Sequence, residues 1–177
     1  WLDCQSSGKH FGRGILIAAD FTEERPPNPF NMKSKKVPCF FPAPTLNRLS
    51  TKCFNHLYFK KGKFKAKNTP SIEHMTPFFF PLDKVKNWNR IYGKRGFLQY
   101  QFVVPSDSGL KVIQSILKKI AASRQIAFLS VLKSFGDMTS SGMLSFPMPG
   151  LTLALDFPNR GDKTLKLLTA LDDVVVA

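Results

Sequence analysis

Acidic residues are scarce in this chain: 12 Asp and Glu stand against 26 Lys and Arg, a net charge of +14. Cysteine is scarcer still. Cys4, Cys39 and Cys53 form no Cys-x-x-Cys and cannot all pair, which excludes a disulfide scaffold or a zinc ribbon. With no secretory leader either, a reducing, cytoplasmic setting is expected. No run approaches the roughly 18 apolar residues of a membrane span, so the chain is expected to be soluble, or at most to sit on a membrane surface. Glycine loops of the GxGxxG and Walker types are missing, so nothing here cradles a nucleotide phosphate. His10, His56 and His74 lie far apart and lack metal spacing. Ser108 and Ser141 adjoin glycines but lack the GxSxG of a nucleophile elbow.

What is present is uneven. The 177 residues suffice for one domain with a core, and 43% hydrophobic content is ordinary. The 17 Phe are not ordinary, and Phe30, Phe40, Phe41, Phe78, Phe79 and Phe80 cluster with proline. Such stretches make stiff apolar loops, either packed over a core or forming the wall of a binding site. Between Arg25 and Ile72 there are eleven Lys and Arg and no Asp or Glu, which leaves 14 − 11 = +3 for everything else. That one-sided window repels itself and attracts anions. Residues 25–72 are therefore expected to be a basic, Pro/Phe-rich, partly mobile insertion.

Periodicity sketches the elements. Trp1 to Cys4 and Arg13 to Ala19 read as two short strands around a glycine-containing turn. Glu23 to Pro44, with six prolines, reads as loop. Thr45 is placed as the N-cap of a helix presenting Leu46, Leu49, Cys53 and Leu57 on one face, which fades into a mobile basic turn over Lys60–Lys65. The last eighty residues are the most regular. Strands are predicted over Gly96–Pro105, Ile126–Leu132 and Gly150–Pro158. Asp107 or Ser108 caps a helix with Leu110, Ile113, Ile116, Leu117 and Ile120 inward. Asp162 caps another with Leu165, Leu168, Leu171 and Val175 inward. Asp156, followed by Phe-Pro, reads as a strand-end turn residue rather than a base.

The order β-α-β-β-α predicts an α+β fold: an antiparallel sheet with helices packed on one face, a ferredoxin-like split βαβ pattern lacking its last strand. The abrupt start on Trp1 and the stop inside the last helix lead us to expect a single domain over residues 1–177, truncated at both ends.

Several long segments carry a family resemblance. Phe80-Pro-Leu-Asp-Lys-Val-Lys-Asn-Trp-Asn-Arg-Ile-Tyr-Gly93 is followed by Gly96-Phe-Leu-Gln-Tyr-Gln-Phe-Val-Val-Pro105, Phe128-Leu-Ser-Val-Leu-Lys-Ser-Phe-Gly136, Leu144-Ser-Phe-Pro-Met-Pro-Gly150 and Leu155-Asp-Phe-Pro158. Together with Trp1-Leu-Asp3 and Gly12-Arg13-Gly14, they resemble the FAD-linked oxidases related to decaprenylphosphoryl-ribose oxidase, of vanillyl-alcohol-oxidase-like architecture. The resemblance is nearly end to end, weakest from about Glu23 to Thr76, and is confined to the substrate-binding domain. It implies an FAD-dependent oxidoreductase that takes a hydride from a sugar hydroxyl carbon. A polyprenyl-phosphate-linked ribose is one member of the substrate class. It implies as partners an FAD-binding domain of the same parent protein and a reductase, with the isolated chain inactive and holding no FAD of its own.

By the same resemblance Gln99, Gln101, Lys133 and Phe135 line the pocket beside the flavin. Gln101 and Lys133 also touch the cofactor, and Lys133 is the candidate catalytic residue. Alternation puts Gln99 and Gln101 on one strand face. Lys133 either points to solvent or, if buried, needs a compensating anion. Trp1, Phe79 and Leu82 match wall positions. Thr152 stands where the mycobacterial type has asparagine, and Ala154 where it has a cysteine open to covalent attack. The family's tyrosine and lysine near the final strand lie beyond Ala177. The competing readings are a nucleic-acid-binding module, using the basic window with Phe40, Phe41, Phe54, Phe59 and Phe64 as stacking groups, and a module that binds anionic membranes. No recognised nucleic-acid motif is present, and nucleic acid is not an expected partner.

Overall fold

In the computed structural model, residues 1–26, 34–65 and 71–176 are described. In chain order the elements are β1 (Lys35–Lys36), α1 (Arg48–Lys65), α2 (Met75–Phe79), β2 (Val85–Lys86), β3 (Phe97–Pro105), α3 (Ser106–Ser123), β4 (Leu129–Phe135), β5 (Gly150–Pro158) and α4 (Asp162–Val175), with short 3-10 turns between them. Phe30, Lys33 and Lys67 of the basic window lie outside the described residues.

The framework is the antiparallel sheet β3-β5-β4, with β5 in the middle. Its two faces differ because side chains alternate along a strand. Phe102 and Val104 of β3 and Leu153, Leu155 and Phe157 of β5 point to the face covered by α3 and α4. There they meet Ile113, Ile116, Leu117 and Ile120 of α3 and Leu167 and Leu171 of α4. Full burial of each such side chain contributes about 2 kcal/mol. This is the α+β architecture and β-α-β-β-α order expected from the sequence. Among the described residues no strand pairs with the outer edge of β3, the position a further ferredoxin-like strand would fill. The outer edge of β4 receives Leu2, whose N–H donates to the Ser130 carbonyl at 3.3 Å.

Several boundaries and faces differ from the sequence reading. The N-terminal pair of strands reduces to one antiparallel bridge, Leu2 with Gly14, flanked by hydrogen bonds between residues 1–3 and 13–15. β4 begins at Leu129 rather than Ile126. Gln125 is drawn toward α4 instead, donating from Nε2 to the Lys163 carbonyl at 2.6 Å. Neither Asp107 nor Ser108 caps α3: both sit inside its first turn, and Pro105 occupies the cap position. Leu110 is exposed because the inward place belongs to Gly109, where an added Cβ would lie 2.9 Å from Leu151 Cδ1. Gly161 rather than Asp162 precedes α4, and Leu165 faces solvent while Thr164 and Leu167 face in. Two residues of the expected Glu23–Pro44 loop pair in parallel with β2.

The largest correction concerns α1. Its cap is Asn47, not Thr45: Asn47 Oδ1 accepts from the N–H groups of Leu49 (2.8 Å) and Ser50 (3.0 Å), and Ser50 Oγ accepts from the Asn47 N–H at 3.0 Å. This reciprocal box satisfies donors that the first turn would leave orphaned. The helix runs on through Lys60–Lys65, where the sequence predicted a turn. Its buried face is Thr51 and Asn55, so Leu49, Cys53 and Leu57 point outward. Rotation about the axis is set by Asn55, whose Nδ2 donates to the buried Asp3 carboxylate at 2.7 Å. Asp3 also accepts from the Gln5 N–H and pairs with Arg13. A buried carboxylate left short of donors costs several kcal/mol, more than one leucine gains by burial.

Candidate functional site

The sheet face turned away from α3 and α4 is built in three rungs. Register places Val103, Thr152 and Lys133 side by side, then Gln101, Ala154 and Val131, then Gln99, Asp156 and Leu129; Phe135 lies beyond, opposite Gly150. Directly opposed residues of antiparallel strands project to the same side. Gln99, Gln101, Lys133, Phe135 and Thr152 therefore share one face, brought there from three strands. The small Ala154 leaves the middle of that face shallow between Gln101 and Val131.

Hydrogen bonds hold the polar groups in place. Gln101 Nε2 donates to Thr152 Oγ1 at 3.2 Å, and Thr152 Oγ1 in turn donates to the Phe102 carbonyl at 2.8 Å. Gln99 Nε2 donates to Asp156 Oδ1 at 3.1 Å. An amide carries two N–H donors and an acceptor, so each glutamine keeps capacity for another partner. Lys133 is exposed, not buried, and no described carboxylate pairs with it. Its charge is available to an anion. Four residues of strand separate its rung from that of Asp156, about 13 Å, so the two charges stand at opposite ends of the face.

Asp156 is the residue the sequence reading misjudged. It lies within β5 rather than in a turn, only 1% exposed, and accepts from Gln99 and from Tyr92 Oη at 3.4 Å. Burial raises its pKa above the ordinary 3.8, while the bonds from Gln99 and Tyr92 oppose the rise. Burial beside that carboxylate also pushes the Tyr92 phenol up.

Tyr92 starts a series of ring contacts along the edge of this face. It stacks on Phe97 (4.6 Å between centroids) and meets Phe128 edge-on at 6.1 Å. Phe128 touches Phe54 of α1 at 5.1 Å, Phe54 stacks on Tyr58, and Tyr58 lies 5.0 Å from Trp1. Trp1 is thus joined to the sheet through α1, a link that no local pattern announces. Tyr92 stands inside the Phe80–Gly93 segment, and the sequence signal for its role is the hydroxyl, which needs a polar partner when buried. Phe79 and Leu82 are not seated in an enclosed wall. Both are exposed, and the Phe79 ring packs edge-on against its neighbour Phe78.

The face is open, not a closed cavity. Two shallow hollows lie elsewhere, one lined by Arg95, Asn159, Arg160 and Gly161, the other by Lys60, Lys61, Lys63 and Phe64. Among the described residues no group of His, Cys, Asp and Glu could hold a metal ion, and no helix is long and apolar enough to cross a membrane. All three thiols are free, with Cys4 buried and its pKa pushed up to about 12 by desolvation.

No family model matches the chain. A curated protein does: the decaprenylphosphoryl-beta-D-ribose oxidase of Mycolicibacterium smegmatis is 32% identical over 168 residues, which cover 89% of this chain. The chain spans 35% of that protein's length. The family resemblance carried by the quoted motifs is therefore real along nearly the whole chain, and it extends to about a third of a decaprenylphosphoryl-ribose oxidase.

Proposed function

We propose that this chain is the substrate-side domain of an FAD-linked oxidoreductase that oxidises a sugar hydroxyl, with a polyprenyl-phosphate-linked ribose as the leading candidate. The observation that carries the reading is the convergence of Gln99, Gln101, Thr152 and Lys133 on the one sheet face that the helices leave uncovered. A substrate domain has to present such a face to a flavin held by another part of the parent protein. The groups present suit a planar, polar-edged ring: a shallow centre at Ala154, two fixed amides and an unpaired ammonium.

Gln101 and Lys133 would hold the flavin edge, and FAD when bound supplies the hydride acceptor. Gln99 and Gln101 orient sugar hydroxyls through their remaining donors and acceptors. Lys133 counters negative charge near the reacting carbon, where a preorganised cation outweighs one in water. Trp1 and Phe135 limit the face with apolar surface, and Phe79 and Leu82 offer further exposed apolar groups to the sugar or its lipid. A lipid-linked sugar also requires the domain to work beside a membrane.

The test uses the parent protein carrying the FAD domain, with flavin bleaching by polyprenylphosphoryl ribose as the signal. Lys133→Met is expected to retain flavin yet slow bleaching roughly a hundredfold. An unchanged rate removes Lys133 from the reaction. The 177-residue chain alone is expected to take up no stoichiometric FAD, and a yellow isolated chain refutes the division of labour.

A further inference from the structure

The outward face of α1 combines two properties that seldom occur together on a free surface. The helix carries six Lys and Arg and no acid. It also exposes large apolar side chains: Leu49 is 78% exposed, Leu57 60% and Phe64 80%. Leu49, Cys53, Leu57, Lys60 and Phe64 follow at spacings of four, four, three and four, one stripe along the helix. Lys52, Lys61 and Lys63 flank it.

The other side of the helix is occupied, since Gly62 stands two turns beyond Asn55 on the buried face. Ile15 packs against Gly62, filling the space a Cβ would take. Toward the C-terminal end of α1, Lys60, Lys61 and Lys63 surround Phe64 in a shallow hollow.

We propose that the outward face of α1 docks onto the headgroup plane of an anionic lipid bilayer. Charge complementarity selects the occupant. An amphipathic helix at an interface sinks its apolar side chains to the depth of the upper acyl chains while its lysines meet lipid phosphates. Single-stranded nucleic acid would satisfy the lysines but needs rings to stack on. Here Phe54 and Tyr58 already pack on Phe128 and Trp1, and Phe59 lies beneath the Arg13 guanidinium at 5.0 Å. Phe54 and Tyr58 keep 43% and 41% exposure, but on the outward stripe itself two of the three large apolar side chains, Leu49 and Leu57, are aliphatic. The opposite flank of α1 is fixed by Asn55 on Asp3, so the same helix borders the candidate face on one side and faces lipid on the other. The inference deepens the preceding reading by giving a lipid-linked substrate a surface to leave from, but its test involves no turnover and no flavin.

The test is co-sedimentation of the chain with vesicles of phosphatidylcholine alone and of phosphatidylcholine mixed with phosphatidylglycerol. Binding is expected to the mixed vesicles only and to weaken with salt. Replacing Lys60, Lys61 and Lys63 by Gln together should lower partitioning at least tenfold, on the order of fivefold per lysine at the surface. Because +14 of charge attracts any anionic surface, the deciding variant is Leu57→Ser with Phe64→Ser, which leaves charge untouched and should also lose roughly tenfold. Both positions are exposed, so the urea midpoint should not move. Equal binding to neutral and anionic vesicles, wild-type binding by the Leu57/Phe64 variant, or capture of a single-stranded RNA oligonucleotide without vesicle binding each overturns the proposal.

Discussion

Asp156 has its charge held where water scarcely reaches, with Gln99 and Tyr92 as its polar partners. Its folded-state pKa is raised by desolvation above the ordinary 3.8. The sign of the consequence follows from proton linkage: the folded state binds the proton more tightly than the unfolded one. Ionised Asp156 therefore costs stability above its folded pKa, and that cost is relieved as pH falls from that value toward 3.8. Asp156→Asn should flatten this part of the curve when the urea midpoint is followed against pH. A wild-type and a variant curve of the same shape would mean Asp156 does not titrate differently on folding. Asp3 is the contrasting buried carboxylate. It has Arg13, Asn55 and the Gln5 N–H as donors, and polar atoms of Gln5, Arg13, Thr51 and Asn55 around it remain buried without a protein partner. No hydrophobic pattern reveals such a network, because Asn55 joins it from 52 residues away and its members are individually ordinary.

At the scale of elements, β5 governs the site, since each of its odd residues feeds the core and each even one the open face. Its start at Gly150 is fixed sterically. A Cβ there would collide with the Val104 carbonyl across the β3–β5 pairing, which is backbone and cannot swing aside. Gly150→Ala should therefore destabilise the domain by roughly 2–3 kcal/mol, as overpacking in a tight contact does, read as a lowered urea midpoint. An unaltered midpoint would show that the two strands can separate there at no cost. The strands of this sheet were legible because period two is a strong signal: β5 matches its sequence-predicted span, and β3 differs by one residue. α1 was legible as a helix but not in its orientation. Leu46, Leu49, Cys53 and Leu57 make a convincing apolar stripe, yet only Leu46, ahead of the helix, is buried, and the buried side of α1 is Thr51 and Asn55. Spacing identifies faces; only a partner decides which face turns in.

For the whole molecule, the dominant fact is the +14 charge, with eleven of the positives between Arg25 and Ile72. Like charges this dense repel one another and oppose compaction, and salt screens them over a Debye length of about 10 Å at 0.1 M. Adding sodium chloride is thus expected to raise the urea midpoint of the isolated chain. A midpoint that falls with salt would indicate that specific ion pairs outweigh the general repulsion. Among the described residues Arg13–Asp3 is the only ion pair, which favours the first outcome.

The amino-acid order alone determined the β-α-β-β-α framework, the pairing of Gln99 with Gln101 on one strand face, and the family resemblance, because each is written in local period or in contiguous motif. The tertiary structure decided what no local pattern encodes. It set Thr152 between Gln101 and Lys133, buried Asp156 under Tyr92, tied Trp1 to the sheet through Tyr58 and Phe54, and turned the leucines of α1 outward. The physical reason is common to all four. Strand register and helix rotation are settled by long-range hydrogen bonds and ring contacts, whose energies depend on partners far away in the chain.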